Sequence, residues 1–397
     1  FIRIKTINWA EEITMNQITD YLQKQFSAMV ELTEEIINVD SPSNDIAGIQ
    51  KVADILSAKM REIGMQTRQR DSGKQGMALI GELPGEEGLQ PVILLGHMDT
   101  VFPKGTVEQR PFKLEKDRMT GPGIFDMKPG LVIGLFAIQA LVKLKLNRRP
   151  VKMIVVSDEE KLHMDSNTYN IIAKECQGGA YGFNLEGTKD DPSHVGTHNR
   201  GGMIVDVTVH GRAAHSGAEP EKGRSAIIEL AHQIIKLSAL SDLQAGVHVN
   251  CGVINGGTSE NIIPDRATTS LGVRFKTNQQ RDQLLERIKS IAATPTVSDT
   301  TTTVKVRTKI DSMEDTPAVN KLFAELNQVA QQVGYGKLRA VGGGGASDAG
   351  IMVARNVPTI DALGVVGDDA HSEKEHASAK SLLTRSSLIA NFIAQKG

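Results

Sequence analysis

Apolar and polar residues follow two different periods along the first half of the chain. Apolar residues three or four positions apart predict amphipathic helices, and short continuous apolar runs predict buried strands. In chain order, the predicted elements are helices at residues 16–37 and 45–63, strands at 77–80 and 92–95, a buried helix at 130–142, a strand at 151–156, a helix at 167–176 and a strand at 181–185. Because helices and strands alternate, this half is predicted to be an α/β domain.

The pattern changes after residue 198. In the segment MIVDVTVHG, Val205, Val207 and Val209 alternate with polar residues, which indicates a strand with one solvated face. The elements after this strand are predicted as a helix at 225–240, strands at 247–254 and 268–275, a helix at 280–291 and a strand at 303–309. Their order, β-α-β-β-α-β, is the split ferredoxin-like pattern of an α+β domain.

The first pattern returns from about residue 311. The elements predicted here are a helix at 318–333, a strand at 357–363 and a final helix that ends at 393. We therefore predict one α/β domain formed by residues 15–198 and 311–397, interrupted by an α+β domain at 199–310. A length of 397 residues suits two domains or one large discontinuous domain.

Charge and composition argue against two classes of partner. The 45 Lys and Arg residues nearly balance the 47 Asp and Glu residues, so the formal net charge of -2 offers no basic field for nucleic acid. The longest apolar stretch, residues 130–142, is shorter than the roughly 20 residues of a membrane span, so no membrane association is expected. Cys176 and Cys251 are too few for a disulfide framework, and we expect a cytoplasmic protein.

The N-terminal stretch FIRIKTINWAEEIT has neither a compact apolar core nor a small-residue cleavage site, unlike a secretion signal. Met15 would make a natural start. Residues 1–14 are therefore expected to be an upstream extension that lies outside the fold.

Residue types that bind metals follow several of the predicted strands. They are His97 and Asp99 after the strand at 92–95, Asp158, Glu159 and Glu160 after that at 151–156, Glu186 after that at 181–185, His371 beyond that at 357–363, and Asp126 in the loop GPGIFDMKPG. In an open α/β sheet the carboxyl ends of the strands face one crevice. We therefore expect these side chains to lie together.

The crowded acidic residues call for a positive charge among them, because adjacent carboxylates repel one another. Taken alone, a His after a strand is most often an ordinary hydrogen-bonded residue, and a run such as DEE is usually a solvated turn. Their joint placement at successive strand ends favours a metal centre. Two His and three carboxylates suit zinc or a similar metal, and two ions about 3.5–4 Å apart form a known clamp for hydrolysis.

The glycine-rich segment GGGGASD at residues 342–348 lacks the Lys-Ser/Thr and the spacing of a phosphate-binding P-loop. It is predicted to be a tight loop that offers backbone N–H groups, that of Gly344 among them, to a carboxylate.

Seven segments carry a resemblance to a known family: GHMDTV, GPGIFDMKPG, SDEE, NLEG, GRAAHSGAEPEKGRSAI, ENIIP and AHSEKE. In this order, over nearly the whole chain after Met15, they resemble the M20 family of metallopeptidases, the group of glutamate carboxypeptidase, acetylornithine deacetylase and succinyl-diaminopimelate desuccinylase. The resemblance implies a zinc-peptidase-like α/β catalytic domain with an inserted ferredoxin-like lid or dimerisation domain, and hence a homodimer.

The resemblance also implies which residues hold the metals. His97, Asp126 and Glu186 would hold one zinc ion. Asp126, Glu160 and His371 would hold the other, so that Asp126 bridges the two. Two divalent ions are therefore expected, zinc first, with Co²⁺ or Mn²⁺ as alternatives.

Further roles follow from the same resemblance. Glu159 would be the general base, and Asp99 would orient the His97 imidazole. In the insert, His215 of AAHSG and Asn261 of ENIIP resemble residues that reach the substrate, the His often from the partner subunit. Arg274 of LGVRF matches a frequent Arg whose role is less defined.

Three positions depart from the family pattern. Pro129-Gly130 replaces Gly-Gly after DMK, and Pro suits the first turn of a helix. The segment KLHMDSN replaces a Gly-Ser pair after DEE, which reshapes a loop close to the expected base. Glutamate-releasing members have an Arg near the end of the lid, where this chain offers Arg307 or Lys309 without a clear counterpart.

The function expected from the sequence is that of a dizinc amidohydrolase or exopeptidase. It would hydrolyse the amide bond of a small N-acyl amino acid or short peptide, as a carboxypeptidase of the glutamate carboxypeptidase type. One alternative is a biosynthetic N-deacylase or desuccinylase. A second is a catalytically inactive, dimeric ligand-binding relative.

Overall fold

The structure is a computed structural model that describes residues 9–74, 76–146 and 148–396. Its first helix begins at Trp9, ahead of Met15, so residues 9–14 are part of a helix instead of lying outside the fold as expected. The rest of the expected extension, residues 1–8, lies outside the described residues.

The chain divides into two compact units. The first contains the described residues up to His198, Asp315–Gly342 and the residues from Ile351 onward, and the second contains Asn199–Glu314 and Gly343–Gly350. The insert predicted at residues 199–310 lies inside the second unit, which continues to Glu314. The second unit also takes in most of the glycine-rich segment, which the predicted boundaries assign to the α/β domain.

The helices are distributed along both units. Within the described residues the α-helices are α1 (Trp9–Lys24), α2 (Phe26–Ile37), α3 (Ile46–Ile63), α4 (Thr106–Gln109), α5 (Lys128–Lys143), α6 (Thr168–Glu175), α7 (Ala226–Ser238), α8 (Asn278–Ala292), α9 (Pro317–Gln332), α10 (Ala349–Val353) and α11 (Ala379–Lys396).

The strands form five sheets in the described residues. They are β1 (Gln66–Gly73), β2 (Gly76–Leu83), β3 (Val92–His97), β4 (Lys113–Glu115), β5 (Arg118–Thr120), β6 (Val151–Val156), β7 (Tyr181–Asn184), β8 (Thr188–Lys189), β9 (His194–Asn199), β10 (Gly201–His210), β11 (Ala214–His215), β12 (His248–Gly256), β13 (Ile262–Ile263), β14 (Arg266–Phe275), β15 (Thr301–Ile310), β16 (Arg339–Gly343), β17 (Thr359–Ile360), β18 (Val366–Asp368) and β19 (His376–Ser378).

A six-stranded mixed sheet is the centre of the first unit. Its strand order is β1-β2-β6-β3-β7-β17, in which β6, β3, β7 and β17 are parallel and β2 is antiparallel to both of its neighbours, β1 and β6. Every residue of β3 is buried, as the continuous apolar sequence VILLGH predicts for a strand covered on both faces. The parallel strands therefore end at one common edge.

Helix α5 is apolar on all sides because it is buried on all sides, from Lys128 to Leu141. It approaches the end of β7 very closely. A β-carbon on Gly130 would lie 2.0 Å from the carbonyl oxygen of Leu185, the residue before Glu186. Only glycine allows this contact between helix and backbone.

A smaller sheet of the first unit has the order β4-β5-β19-β18-β8. Strands β18 and β19 pair in antiparallel fashion and flank the loop that contains His371. The position of this loop is thus set by two strands that the sequence did not predict.

The second unit has the predicted β-α-β-β-α-β order. Its antiparallel sheet has the order β12-β14-β10-β15, and α7 and α8 pack on one face of it. Val205, Val207 and Val209 of β10 are fully buried while their neighbours are partly exposed, which confirms the half-solvated strand. A short second sheet pairs β11 with β13.

Further elements of the first unit differ from the prediction. The strand predicted at residues 357–363 is the two-residue strand β17. The helix predicted at residues 16–37 is two helices that meet at Gln25. Strand β1 has the polar sequence QTRQRDSG and was not predicted, because an edge strand that is mostly exposed has no apolar alternation to reveal it.

We predict that Gly130→Ala lowers the free energy of unfolding by about 1–3 kcal/mol, because the new methyl group would meet the Leu185 carbonyl and force α5 away from β7. Gly134→Ala on the same helix is the control, since its methyl group meets the movable Leu185 Cδ1 at 2.9 Å. Urea unfolding of both variants measures the difference. Equal stability of the two variants would contradict the close approach at Gly130.

Candidate metal centre

The candidate metal centre is formed by loops at the carboxyl ends of parallel strands in the first unit. His97 is the last residue of β3, Glu160 lies in a 3₁₀ turn (Glu159–Lys161) just after β6, and Glu186 lies two residues beyond β7. Asp126 lies just ahead of α5, and His371 lies between β18 and β19. The sequence-based expectation that these strand ends share one edge is therefore met.

Asp126 contacts both histidines. Its Oδ1 lies 3.0 Å from Nε2 of His97, and its Oδ2 lies 3.0 Å from Nε2 of His371. The same His97 nitrogen is 3.6 Å from Oε1 of Glu186, and the same His371 nitrogen is 3.2 Å from Oε2 of Glu160. The Nε2 atom of each histidine thus faces one oxygen of Asp126 and one further carboxylate.

These side chains form a donor set suited to a cation. The ligand atoms of His97, Asp126 and Glu160 all lie within 4.8 Å of one another. The Oε1 atom of Glu160 is buried and has no hydrogen-bond partner among the described residues. A buried carboxylate oxygen without a donor is costly unless a ligand completes it, so the donor set fits a metal.

The His97 ring is held from its other side by Asp99. Nδ1 of His97 lies 3.0 Å from the backbone oxygen of Asp99 and 3.3 Å from its Oδ1. A carbonyl oxygen can only accept, so Nδ1 donates and Nε2 is directed at Asp126. This is the arrangement in which the second ring nitrogen of a metal-binding His is usually found.

The Asp99 carboxylate also holds the turn that contains the DEE run. It is fully buried and accepts the backbone N–H groups of Glu159 at 3.3 Å and Glu160 at 3.2 Å, as well as the Ser43 hydroxyl at 2.7 Å. One side chain therefore links the end of β3 to the turn after β6.

The ionisation of the two histidines is shifted by the carboxylates around them. Burial alone would lower the pKa of His97, but Glu186, Asp126 and Asp99 together raise it well above its usual range. The hydrogen bond to Asp126 raises the pKa of His371 to about 9. Both shifts show the negative potential of the cluster.

The carboxylates shift in opposite directions. Burial raises the pKa of Glu160 to about 8, and the charge of Asp126 adds to this effect. Burial likewise raises the pKa of Glu186 well above its usual range. Asp126 is partly buried as well, but its hydrogen bonds to His371 and His97 hold its pKa well below the usual range. Such opposed shifts in one crevice are typical of functional sites.

Glu159 is half-buried at the start of the 3₁₀ turn. Its negative charge is among the causes that raise the pKa of Glu186 and of His371, so its carboxylate lies near the cluster. Asp158 has a different environment, because it is fully buried and its Oδ1 lies 3.0 Å from Nδ1 of His163. His163 thus pairs with the first of the three acidic residues in the DEE run.

The loop of His371 is held by Arg110. Nη1 of this arginine donates to the backbone oxygen of Ser372 at 3.0 Å, and its guanidinium carbon lies 4.5 Å from the centre of the Phe102 ring. Nothing in the local sequence pattern predicts this contact, because 262 positions separate the two hydrogen-bonded residues.

Two buried charges next to Asp126 were also missed by the sequence analysis. The carboxylate of Glu375 accepts backbone N–H groups of the loop before α5. The ammonium of Lys128 donates to the backbone oxygens of Ile36 and Val39, and burial lowers its pKa to about 7. Glu375 lies in the motif AHSEKE and Lys128 in DMKPG. Membership of these motifs is the one sequence feature that could have pointed to the two residues.

The remaining predicted residues belong to the second unit. His215 is exposed in β11, and its Nδ1 accepts the backbone N–H groups of Gly217 at 3.2 Å and Ala218 at 3.1 Å. The backbone oxygen of Asn261 accepts the N–H of Ser216 at 2.9 Å, so the motifs AAHSG and ENIIP are brought together.

Arg274 and the glycine-rich segment are also described within this unit. Arg274 lies in β14, paired with Gly202 of β10, and burial lowers the pKa of its guanidinium. No acidic side chain in the described part of the chain forms an ion pair with it. Gly344 follows β16 in an exposed loop, after Gly343 N–H has bonded to Oδ1 of Asn199 at 2.7 Å.

Comparison with known proteins assigns the family. The sequence profile of Peptidase family M20/M25/M40 matches residues 93–395. The chain therefore belongs to this family, as the resemblance predicted, and is a metal-dependent peptidase or amidohydrolase of the M20 type.

Two relatives align over almost the whole chain. Carboxypeptidase G2 of Pseudomonas sp. (strain RS-16) is 27% identical over 382 residues, which cover 93% of this chain and 89% of the relative. Succinyl-diaminopimelate desuccinylase of Gluconacetobacter diazotrophicus is 25% identical over 385 residues, covering 91% and 95%.

Solved structures share the fold. Aminopeptidase PepT from Bacillus cereus superimposes with a TM-score of 0.73 at 22% identity, covering 93% of this chain and 98% of that chain. An M20 family metallo-carboxypeptidase from Sulfolobus solfataricus superimposes with a TM-score of 0.69 at 17% identity, covering 92% and 98%. The predicted α/β fold class is thus confirmed. Among the described residues, no helix has both the length and the apolar character of a membrane span.

Proposed function

We propose that the protein is a two-metal hydrolase that cleaves the amide bond of a small N-acyl amino acid or short peptide. The observation that carries this proposal is the position of Asp126, each of whose oxygens faces Nε2 of a different His at 3.0 Å. One metal would be held by His97, Asp126 and Glu186, and the other by Asp126, Glu160 and His371. Zinc is the metal expected from this donor set, and Co²⁺ and Mn²⁺ are alternatives.

The residues of the chain divide the chemistry among them. When bound, the two ions would polarise the scissile carbonyl and acidify a water molecule. Glu159 takes a proton of that water as the water oxygen bonds to the carbonyl carbon, and passes the proton to the leaving nitrogen as the C–N bond breaks. Asp99 keeps the His97 ring oriented and holds the turn on which Glu159 lies.

His215 has the tautomer needed to assist this step. Its Nδ1 accepts two backbone N–H groups, so in the neutral ring the proton is on Nε2. We assign this N–H the role of stabilising negative charge that develops on the carbonyl oxygen, from the neighbouring subunit of a dimer. Asn261 is assigned a substrate contact beside it.

A carboxypeptidase-like substrate preference is supported by two features. Arg274 carries a half-buried guanidinium without an acidic partner among the described residues, which suits a substrate carboxylate. The backbone N–H groups around Gly344 are a second candidate contact for the same carboxylate. The similarity to carboxypeptidase G2 favours a carboxypeptidase, and the glutamate carboxypeptidase type is proposed from the resemblance of the motifs.

A biosynthetic N-deacylase is the second candidate function, because the desuccinylase relative covers the chain equally well. The two differ in which half of the substrate is recognised. A screen of peptidyl-amino acids against N-succinyl and N-acetyl amino acids, with Zn²⁺, Co²⁺ or Mn²⁺ added in turn, separates them. A catalytically inactive relative would hydrolyse none of these compounds.

A homodimer through the second unit is part of the proposal. Helix α7 exposes Ile228 and Ile235, and the edge strand β12 exposes Val253 and Ile254, the most exposed of the four being Ile235 at 71%. An edge strand with exposed apolar side chains is a surface that pairs readily with a second copy. A cytoplasmic location is also proposed, which is compatible with the two free cysteines, Cys176 and Cys251.

Glu159→Gln should abolish turnover and leave metal content at the wild-type level, because the amide cannot accept a proton and Glu159 is not a proposed ligand. We expect kcat to fall roughly 10²–10⁴-fold. Hydrolysis assays on the best substrate of the screen, with metal analysis of the same protein, measure both. Activity above about a hundredth of wild type would count against a general base.

Asp126→Ala should remove or disorder both metals, because it is the one side chain proposed to contact each of them. Glu186→Ala should weaken mainly one site. Metal-to-protein stoichiometry after dialysis against a weak chelator compares the two variants. Two tightly held ions in Asp126→Ala would show that the bridging assignment is wrong.

Mixing inactive His215→Ala protein with inactive Glu159→Gln protein should restore activity if His215 acts across the subunit interface. A heterodimer would then combine both lesions in one site and leave the other site intact. Subunit exchange is verified by mass spectrometry of differently tagged chains. A mixture that exchanges subunits and stays inactive would place any action of His215 within its own chain.

A further inference from the structure

Asp126 is contacted from two directions by one short segment of chain, residues 371–375. His371 contacts its carboxylate, and Glu375 contacts its backbone. We propose that Glu375 is a positioning residue that holds the bridging carboxylate of Asp126 in place for both metals. This inference rests on the proposed two-metal function.

The Glu375 carboxylate is the anchor of the loop that ends at Asp126. It is fully buried, with Oε1 accepting the N–H groups of Phe125 at 2.9 Å and Asp126 at 3.0 Å, and Oε2 accepting that of Gly123 at 2.9 Å. Gly123 has φ +78°, and a β-carbon there would lie 2.6 Å from Cγ2 of Thr100. The loop is therefore packed closely around the side chain of Glu375.

Only a carboxylate of this length satisfies the three donors. Two oxygens are needed, and both must be acceptors without a proton. A glutamine would direct its NH₂ group at one or two backbone N–H groups, leaving donors face to face in a buried place. An aspartate keeps the charge but is one methylene shorter, so it cannot reach all three N–H groups.

The geometry of Asp126 makes this anchor matter for the metals. Its two oxygens must face His97 and His371 at the same time, each at 3.0 Å. Any rotation of the backbone at Asp126 moves one oxygen away as the other approaches. Glu375 thus acts through Asp126, without being a ligand itself.

The second unit offers a matched control, Glu229. It is also fully buried and also accepts three hydrogen bonds, from the N–H groups of Thr296 at 2.7 Å and Val297 at 2.6 Å and from Nε2 of Gln233 at 2.8 Å. All of its donors belong to the second unit. Glu229→Gln should therefore lose comparable hydrogen bonding without moving Asp126.

The experiment compares Glu375→Gln, Glu229→Gln and Asp126→Ala with the wild type. Zn²⁺ affinity is measured by competition with a chromophoric chelator, and the ligand geometry by the visible absorption spectrum of the Co²⁺-loaded protein. For Glu375→Gln we expect Zn²⁺ affinity to fall about tenfold or more at both sites, the usual effect of losing a residue that supports metal ligands. The Co²⁺ spectrum should change, and kcat should fall while KM stays near its wild-type value.

Glu229→Gln should lose thermal stability to a similar degree but keep the wild-type affinity, Co²⁺ spectrum and kcat. Hydrogen exchange supplies a readout that needs no metal. The backbone amides of Gly123, Phe125 and Asp126 should exchange faster in Glu375→Gln than in the wild type and in Glu229→Gln. If Glu375→Gln does not fold, Glu375→Asp takes its place, with the same expected direction in each measurement.

The outcomes separate this inference from the proposed function. If the wild type binds two ions, Asp126→Ala loses them and the folded Glu375 variant keeps wild-type affinity and spectrum, then the positioning role is overturned and the two-metal function stands. If Glu229→Gln loses metal affinity as strongly as the Glu375 variant, the effect is general destabilisation and the inference also fails. If the wild type binds no pair of ions, or Asp126→Ala keeps both, the proposed function fails and the inference fails with it.

Discussion

The simultaneous contact of one carboxylate with two imidazoles is the constraint on which the candidate site depends. The carboxylate of Asp126 is a single planar group with two oxygens. His97 and His371 must therefore approach it from two sides, each at hydrogen-bond distance. The first comes from the end of a central strand and the second from a loop of a different sheet. These two sheets of the first unit therefore have to be held in a fixed relation around the loop before α5.

Buried polar contacts supply that fixed relation. Asp99 joins the end of β3 to the turn after β6, Glu375 holds the Asp126 loop, and Arg110 holds the loop of His371. Such interactions contribute little net stability, because each replaces hydrogen bonds to water. Their value lies in geometry, since an unpaired partner would be costly and so the arrangement has no near alternative. The opposed pKa shifts of Asp126 and Glu160 fit this picture, with protons offsetting part of the negative charge when no cation does.

The sequence predicted the fold class and the grouping of the candidate site's residues, because both depend on local patterns. Continuous apolar runs marked the buried strands β3 and β6, and alternation marked β10. Residues at strand ends could then be grouped by the rule that parallel strands share an edge. The polar edge strand β1 and the short strands around His371 have no such pattern, because their pairing and not their burial defines them.

The supporting contacts could not be predicted for a different reason. Arg110 and Ser372, or Gly123 and Glu375, are separated by 262 and 252 positions, and neither pair has a periodic or compositional signature. The segment KLHMDSN departs from the family pattern in the sequence. Its structural consequence, the contact of Asp158 with His163, is visible only in the folded turn. The sequence shows which chemical groups are present, whereas the hydrogen bonds between distant loops exist only in the folded protein.

The insertion of the second unit sets the order in which the site can be completed during synthesis. His97, Asp126 and Glu160 leave the ribosome before the 116 residues of Asn199–Glu314, while His371 and Glu375 leave after them. The acidic side chains that follow β3, β6 and β7 are thus present without His371 while the second unit is synthesised. The Asp126 loop also lacks Glu375 during this time. Because domains fold as units during translation, the inserted unit can reach its own fold first, and the candidate metal centre is completed only with the final segment of the chain.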